Sequence, residues 1–140
     1  MMRHASEPCW HTLRFDGSCS GNGSDDSVGR WSFHLTDASG CTVGLRTGAS
    51  AVRAVTSNIT EYEGLLNGLR HAAGVPGLQG LLVQGDSLLV VNQVLGRWSA
   101  RASHLAELRD ESLALLDGLG VPWRIEWIPR EENEFCDAMT

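Results

Sequence analysis

The feature that most constrains the fold is a change in hydrophobic periodicity along the chain. Residues 28–36 (VGRWSFHLT) and 41–48 (CTVGLRTG) alternate as strands do around the glycine-containing turn DASG, which predicts a β-hairpin. Over residues 58–73 the spacing becomes helical. The apolar stripe there consists of Tyr62, Leu65, Leu66 and Leu69. A hairpin followed by alternating strands and helices predicts a mixed sheet covered by helices.

The complete predicted order is three strands, a helix, a strand, two helices, a strand and a short final helix. We predict further strands at 10–15, 77–85 and 121–129, and helices at 58–73, 87–95, 101–118 and within 130–140. Gly96 is a natural end for the second helix. The fold class is therefore α/β. We expect a five-stranded mixed sheet, with antiparallel strands 1–3 followed by parallel strands that alternate with flanking helices.

The 140 residues suit one domain, and we expect a loosely ordered stretch at 1–9 followed by a single domain at 10–140. No run of about 18 apolar residues is present, and the first 15 residues hold no apolar stretch of signal-peptide length. We therefore predict a cytoplasmic protein without a membrane partner. Four scattered cysteines without a C-x-x-C pair indicate reduced thiols, with a disulfide left open as an alternative.

The net charge of −6 argues mildly against a nucleic-acid-binding domain, because such domains usually carry a basic excess. All 11 basic residues are arginine, whose planar guanidinium matches phosphate geometry. Arginine-only usage is also what a GC-rich genome produces. Charge alone therefore leaves the class of partner open.

Four acidic residues fall where the predicted fold brings distant parts of the chain together. Asp86 and Asp16 each directly follow a predicted strand, and the carboxyl ends of such strands gather active sites. Glu61 lies in the predicted first turn of the first helix, and Asp137 in the final helix. Four clustered acids repel one another unless a divalent metal intervenes, and Mg²⁺ prefers oxygen ligands. A pair of ions there can activate water and stabilise the leaving oxygen in phosphodiester cleavage.

Each acid also has a simpler interpretation. Asp16 precedes a glycine, as turn residues often do, and Asp86 could be an acid favoured by a helix dipole. Glu61 could be a first-turn acid, and Asp137 a solvated charge. Only the joint occurrence of the four favours a metal site.

The segments that carry these acids resemble the four signature blocks of type 1 ribonuclease H, in order and in spacing. They are FDGSCSGNG, TSNITEYEGLLNGL, LVQGDSLLVVNQVLGRW and IPREENEFCDAM. The resemblance covers roughly residues 10–140 and is strongest to the compact archaeal and plant-like branch without a basic protrusion. It implies the ribonuclease H-like fold and an endonuclease that hydrolyses the RNA strand of RNA/DNA hybrids, leaving 3′-hydroxyl and 5′-phosphate ends.

The resemblance also implies roles for individual residues. The catalytic and metal-binding acids would be Asp16, Glu61, Asp86 and Asp137, which would hold two Mg²⁺ ions, with Mn²⁺ as a substitute. Asp16 would bridge both ions, and Asp137 would hold the ion that carries the attacking water. The substrate-binding residues would be Gly17, Ser18, Cys19 and Asn22 on the RNA, Thr56, Ser57, Asn58, Arg97, Trp98 and Arg101 on the DNA strand, and Arg130 in an electrostatic role.

The chain departs from the family pattern near its last block. The stretch PREENE contains no histidine, although many bacterial members carry one in this loop, so we expect catalysis without it. Asp137 lies three residues before Thr140, and we expect so short a helix end to fray. We predict a monomer acting on an RNA/DNA hybrid. The alternatives are a catalytically silent nucleic-acid-binding module and a different nuclease on the same fold.

Overall fold

The computed structural model describes residues 9–101 and 103–140, so the predicted loose stretch at 1–9 lies almost wholly outside the described residues. The predicted order of strands and helices is confirmed, with one 3₁₀ turn added before the last helix. The elements are β1 (His11–Ser20), β2 (Val28–Thr36), β3 (Thr42–Ala49), α1 (Ser57–Ala73), β4 (Leu81–Gly85), α2 (Leu88–Val94), α3 (Ser103–Gly118), β5 (Trp123–Trp127), the 3₁₀ turn (Arg130–Asn133) and α4 (Glu134–Met139). Within the described ranges, no helix has both the length and the apolar character needed to cross a bilayer.

The strands form one five-stranded sheet in the order β3-β2-β1-β4-β5. Pairing is antiparallel among β1, β2 and β3, and parallel from β1 through β4 to β5, as predicted. Successive side chains of a strand point to opposite faces. Phe33 therefore faces His71 of α1, whereas Ser32 on the other face donates from its hydroxyl to the Cys136 carbonyl of α4. Helices α1 and α4 thus cover opposite faces of the sheet.

The first strand is longer than the sequence predicts. We expected it to end at residue 15, but β1 continues to Ser20, and β2 pairs with it along this extension as far as the Ser20–Val28 pair. Backbone pairing therefore outweighs the turn-forming composition of the segment. As a consequence Asp16 lies inside a strand, and the expectation that it directly follows one is wrong.

Helix α1 carries the apolar stripe that the sequence predicts. Thr56 caps its first turn by accepting a hydrogen bond from the Ile59 amide at 3.3 Å. All four stripe residues are buried at no more than 3% exposure, and Tyr62, Leu65 and Leu69 pack into the main core. The helix therefore lies firmly against the sheet, with its N-terminal end beside the middle of β1.

Two glycines allow α1 to approach β1 closely. A Cβ atom on Gly17 would lie 2.3 Å from the Thr60 backbone carbon, and one on Gly64 would lie 2.7 Å from the Asp16 carbonyl oxygen. These neighbours are backbone atoms, so neither contact is relieved by rotating a side chain. At these two positions α1 and β1 are too close for any residue larger than glycine.

Replacing Gly64 with alanine is therefore expected to destabilise the protein by about 1–3 kcal/mol, the usual range for overpacking a dense interior. Urea unfolding measures the change. Gly118→Ala is the matched control, because a Cβ there has nothing within 4 Å, and helix propensity predicts no loss of stability. Equal stability of the Gly64 variant and the wild type would contradict the close approach.

Candidate metal centre

The parallel pairing of β1 with β4 brings Asp16 and Asp86 side by side. The register pairs Phe15 with Gly85 at the end of the ladder, and the next residue along the chain is an acid in both cases, Asp16 within β1 and Asp86 directly after β4. Asp16 is 3% exposed, and the side chain of Asp86 is 7% exposed. Two carboxylates far apart in the chain thus lie at one level of the sheet, largely shielded from water.

Helix α1 supplies the third acid. Glu61 lies in its second turn rather than in the expected first turn, and it is 8% exposed. The Gly17 amide of β1 donates to Glu61 Oε1 at 3.0 Å, across the contact that the missing Cβ allows. One carboxylate oxygen from each of Asp16, Glu61 and Asp86 then lies within 4.8 Å of the others.

The crowding of these acids changes their protonation. Burial, followed by the charge of Asp16, raises the pKa of Glu61 well above its usual range. The same two causes raise the pKa of Asp86 to about 6, although Arg130 and a hydrogen bond from Asn133 oppose the rise. The raised pKa values mean that the surrounding protein groups do not fully compensate the negative charges of these carboxylates.

The cluster meets the requirements of a hard divalent cation. Among the described residues, the buried atoms Glu61 Oε2 and Asp86 Oδ2 have no hydrogen-bond partner, and an unpaired buried oxygen of this kind is costly. The cationic Arg130 Nε is 3.9 Å from Asp86 Oδ2, and the Arg130 side chain is 74% exposed. All the available ligand atoms are carboxylate oxygens, which suit Mg²⁺ or Mn²⁺.

Asp137 lies at the edge of this group. It is an exposed residue of α4 and is not among the three acids within 4.8 Å of one another. It nevertheless lines the same open cleft, of about 410 Å³, and its charge contributes to the raised pKa of Asp86. The structure therefore brings three of the four predicted acids into contact range and holds the fourth beside them.

The predicted substrate-binding residues divide into three groups. Those that line the cleft with the acids are Gly17, Ser18, Cys19, Ser57, Asn58 and Arg130. Asn22 and Thr56 adjoin it, Thr56 as the cap of α1 and Asn22 by accepting from the Ser57 amide at 2.8 Å. Arg97, Trp98 and Arg101 are exposed in the connection between α2 and α3, outside the residues that line the cleft.

The simpler interpretations of three acids do not fit the geometry. Ser87, not Asp86, caps α2 by accepting from the Val90 amide at 3.2 Å. Asp16 lies in a strand instead of a turn, and Glu61 is buried behind the first turn of α1. Asp137 alone keeps its surface exposure.

Two residues beside the acids escaped the sequence analysis. Asn133 is fully buried, and its side-chain amide donates to the Phe15 carbonyl at 2.9 Å, next to Asp86. Trp127 donates from its indole nitrogen to the main-chain carbonyl of Asp86 at 3.0 Å. The sequence offers little to predict these roles: Asn133 lies within a charged segment, and Trp127 lies near the end of a predicted strand.

The end of α4 is hydrogen-bonded to two strands of the sheet, whereas its expected fraying stays a prediction. Ser18 donates to the Thr140 main-chain oxygen at 3.0 Å, and Thr47 donates to the Met139 carbonyl at 3.2 Å. The Thr140 hydroxyl donates to Asp16 Oδ2, also at 3.0 Å. Side chains of β1 and β3 therefore bind the last turn of α4 to the sheet.

Comparison with known proteins identifies the family. The family model described as reverse transcriptase-like matches residues 14–140. The crystal structure of RNase H1 from Halobacterium salinarum superimposes with a TM-score of 0.76 at 31% identity, covering 92% of each chain. The chain belongs to the type 1 ribonuclease H family. The N-terminal RNase H domain of Rv2228c from Mycobacterium tuberculosis superimposes with a TM-score of 0.84 at 28% identity, covering 94% of this chain and 91% of that one.

The ribonuclease H resemblance that the sequence motifs indicated is thereby confirmed, together with the fold. In sequence, the chain is 34% identical to ribonuclease HI of H. salinarum over 125 residues, which are 89% of this chain. It spans only 59% of the length of that relative and 26% of the length of the bifunctional protein Rv2228c. The complete relatives are therefore longer than the ribonuclease H portion that they share with this chain.

Removing the charge of Asp86 is expected to stabilise the metal-free ribonuclease H domain at neutral pH. Because its pKa rises from 3.8 to about 6 on folding, the folded chain binds this proton more tightly than the unfolded chain. The group therefore contributes stability in acid, and this contribution is lost as the pH rises through that interval. At about 1.4 kcal/mol for each pKa unit, Asp86→Asn should raise the free energy of unfolding on the order of 1–3 kcal/mol above about pH 7.

The measurement is urea unfolding in the presence of EDTA, at about pH 7.5 and about pH 4. The Asp86 variant should differ from the wild type far more at the higher pH. Asp110→Asn, an identical charge change at an exposed position of α3, should stabilise at neither pH. A gain that is the same at both pH values would contradict the assigned cause.

Proposed function

We propose that this protein is a metal-dependent endonuclease that hydrolyses the RNA strand of RNA/DNA hybrids. The observation that carries the proposal is the buried cluster of Asp16, Glu61 and Asp86, in which two carboxylate oxygens have no hydrogen-bond partner among the described residues. Family membership supports it, because these acids stand at the motif positions of type 1 ribonucleases H. Assigning the activity to residues 10–140 as one domain is part of the proposal.

Asp16, Glu61 and Asp86 would hold the cations, and Asp137 would complete the ligand set from the edge of the cleft. Two divalent ions bound there would supply an activated water and charge stabilisation for the leaving oxygen. The protein's own part is positioning. The Gly17 amide orients Glu61, and Asn133, which donates to the Phe15 carbonyl, lowers the pKa of the neighbouring Asp86 carboxyl. Arg130, exposed at the cleft, is placed to attract a phosphate group.

The cleft has the polar groups needed to recognise a ribose edge. Ser18, Ser57 and Asn58 line it next to the acids, and the Asn22 amide lies beside Ser57. Such groups can donate to or accept from a 2′-hydroxyl, which distinguishes RNA from DNA. A fold neighbour, LC11-RNase H1, was crystallised in complex with an RNA/DNA hybrid; at 22% identity and a TM-score of 0.78 it supports the fold of this chain. We extend hybrid binding, two Mg²⁺ ions, a monomeric state and a cytoplasmic location to this protein as parts of the same proposal.

The decisive experiment compares an RNA/DNA hybrid, duplex DNA and duplex RNA, each labelled on either strand and incubated with Mg²⁺ or Mn²⁺. Only the RNA strand of the hybrid should be cut, leaving 5′-phosphate ends. Asp86→Asn should lower the rate about a thousandfold, because losing a metal ligand removes several kcal/mol of transition-state stabilisation.

Asp110→Asn is the matched control, since it makes the same charge change at an exposed site of α3, and it should cleave at the wild-type rate. Preferred cleavage of duplex DNA would overturn the substrate assignment. Binding of the hybrid without any cleavage would identify a silent binding module. A nearly normal rate for the Asp86 variant would remove the metal assignment.

Asp137→Asn should be less damaging than Asp16→Asn, because Asp137 lies at the exposed edge of the cluster, whereas Asp16 is buried within it. We expect a loss on the order of 10–100-fold, the range seen when an outlying partner of a metal site is removed. Raising the Mn²⁺ concentration should restore much of the rate. Equal and complete losses in both variants would show that Asp137 is as central as the other three acids.

A further inference from the structure

We infer that Thr140 is a positioning residue for the metal centre: its hydroxyl holds the Asp16 carboxylate in place and ties it to the helix that carries Asp137. The inference rests on the proposed metal-dependent function and assigns a residue outside the four acids. Thr140 Oγ1 lies 3.0 Å from Asp16 Oδ2, as the donor of a hydrogen bond to a carboxylate that is 3% exposed.

The alternation of side chains along β1 explains how one residue makes two contacts with the same strand. Asp16 and Ser18 are two positions apart, so both point to the face of the sheet that α4 covers. Asp16 accepts from the Thr140 hydroxyl, and Ser18 donates to the Thr140 main-chain oxygen, each at 3.0 Å. Thr140 is therefore bound to β1 through its side chain and its backbone at once.

Thr140 also contacts the last turn of α4. Its amide donates to the carbonyls of Cys136 and Asp137, at 3.2 and 3.3 Å. A residue that is hydrogen-bonded to the turn containing Asp137 and also contacts Asp16 connects two acids from different elements. A displacement of α4 would therefore change the orientation of both.

The negative charge of the cluster explains why the Asp16 carboxylate needs the Thr140 hydroxyl to fix its orientation. Glu61 and Asp86 repel Asp16, and rotation of the Asp16 side chain away from them would relieve the repulsion. A neutral hydroxyl donor opposes that rotation without adding a positive charge that would compete with a cation. The helix carbonyls of Asp137 and Cys136 are also within reach of the hydroxyl, at 3.2 and 3.3 Å, but the carboxylate is nearer and makes the stronger, charge-assisted acceptor.

The test is Mn²⁺ binding by isothermal titration calorimetry on the chain of residues 1–140. Thr140→Val removes the hydroxyl and keeps the shape of the side chain, and we expect affinity to fall about 10-fold, as for other groups that orient a metal ligand. Thr140→Ser retains the donor and should bind within about twofold of the wild type. In hybrid cleavage, the Val variant should need about 10-fold more Mg²⁺ for half-maximal rate, with a nearly unchanged rate at saturation.

Thr47→Val is the matched structural control. The Thr47 hydroxyl also contacts the last turn of α4: it lies 3.2 Å from the Met139 carbonyl and 3.0 Å from the Trp31 carbonyl of β2, and both acceptors are backbone carbonyls. If Thr140 acts on Asp16 directly, the Thr47 variant keeps wild-type Mn²⁺ affinity. An equal loss in both variants would mean that only the anchoring of α4 matters, and it would overturn the inference.

The outcomes separate this inference from the proposed function. If the wild type cleaves hybrids and Thr140→Val binds Mn²⁺ as tightly as the wild type, the positioning role is wrong and the nuclease proposal stands. If Thr140→Val weakens Mn²⁺ binding but the wild type cuts no hybrid, the positioning role stands and the substrate assignment falls. Absence of Mn²⁺ binding by the wild type would overturn both.

Discussion

The parallel pairing of β1 with β4 is the constraint on which the site depends. Its register places Asp16 and Asp86 at one level because each follows the last residue that its strand contributes to the β1–β4 ladder. A shift of one residue would turn one acid to the opposite face of the sheet. Gly17 and Gly64 then allow α1 to come close enough for Glu61 to join them. Strand register and the absence of two Cβ atoms thus create the cluster.

The protein holds this cluster together with neutral donors rather than with cations. The Gly17 amide, the Asn133 side chain and the Thr140 hydroxyl each contact one of the acids, whereas Arg130 is mostly exposed and its Nε lies 3.9 Å from Asp86 Oδ2. Neutral donors orient carboxylates without cancelling their charge, so the raised pKa values of Glu61 and Asp86 persist in the metal-free chain. Because the carboxylates remain incompletely compensated by protein cations, a divalent ion that binds among them relieves their mutual repulsion.

Local patterns predicted the fold well because its elements are locally encoded. Alternation predicted β2 with its observed bounds, and the apolar stripe placed α1 to within one residue at its start. The error in β1 has a non-local cause. Residues 16–20 have the composition of a turn, and they extend β1 only because β2 offers hydrogen-bond partners along that length. No window of the sequence around Asp16 contains that information.

By itself, the sequence determined the order of the elements, the buried face of α1 and the identity of the acids, since periodicity and motif order depend on residues close together in the chain. Tertiary structure alone decided that Asp16, Glu61 and Asp86 come within 4.8 Å while Asp137 stays at the edge. It also decided that Asn133 and Thr140 contact the acids. Such contacts join residues at least 25 positions apart, and their distances depend on strand register and helix packing, which no short segment of the sequence specifies.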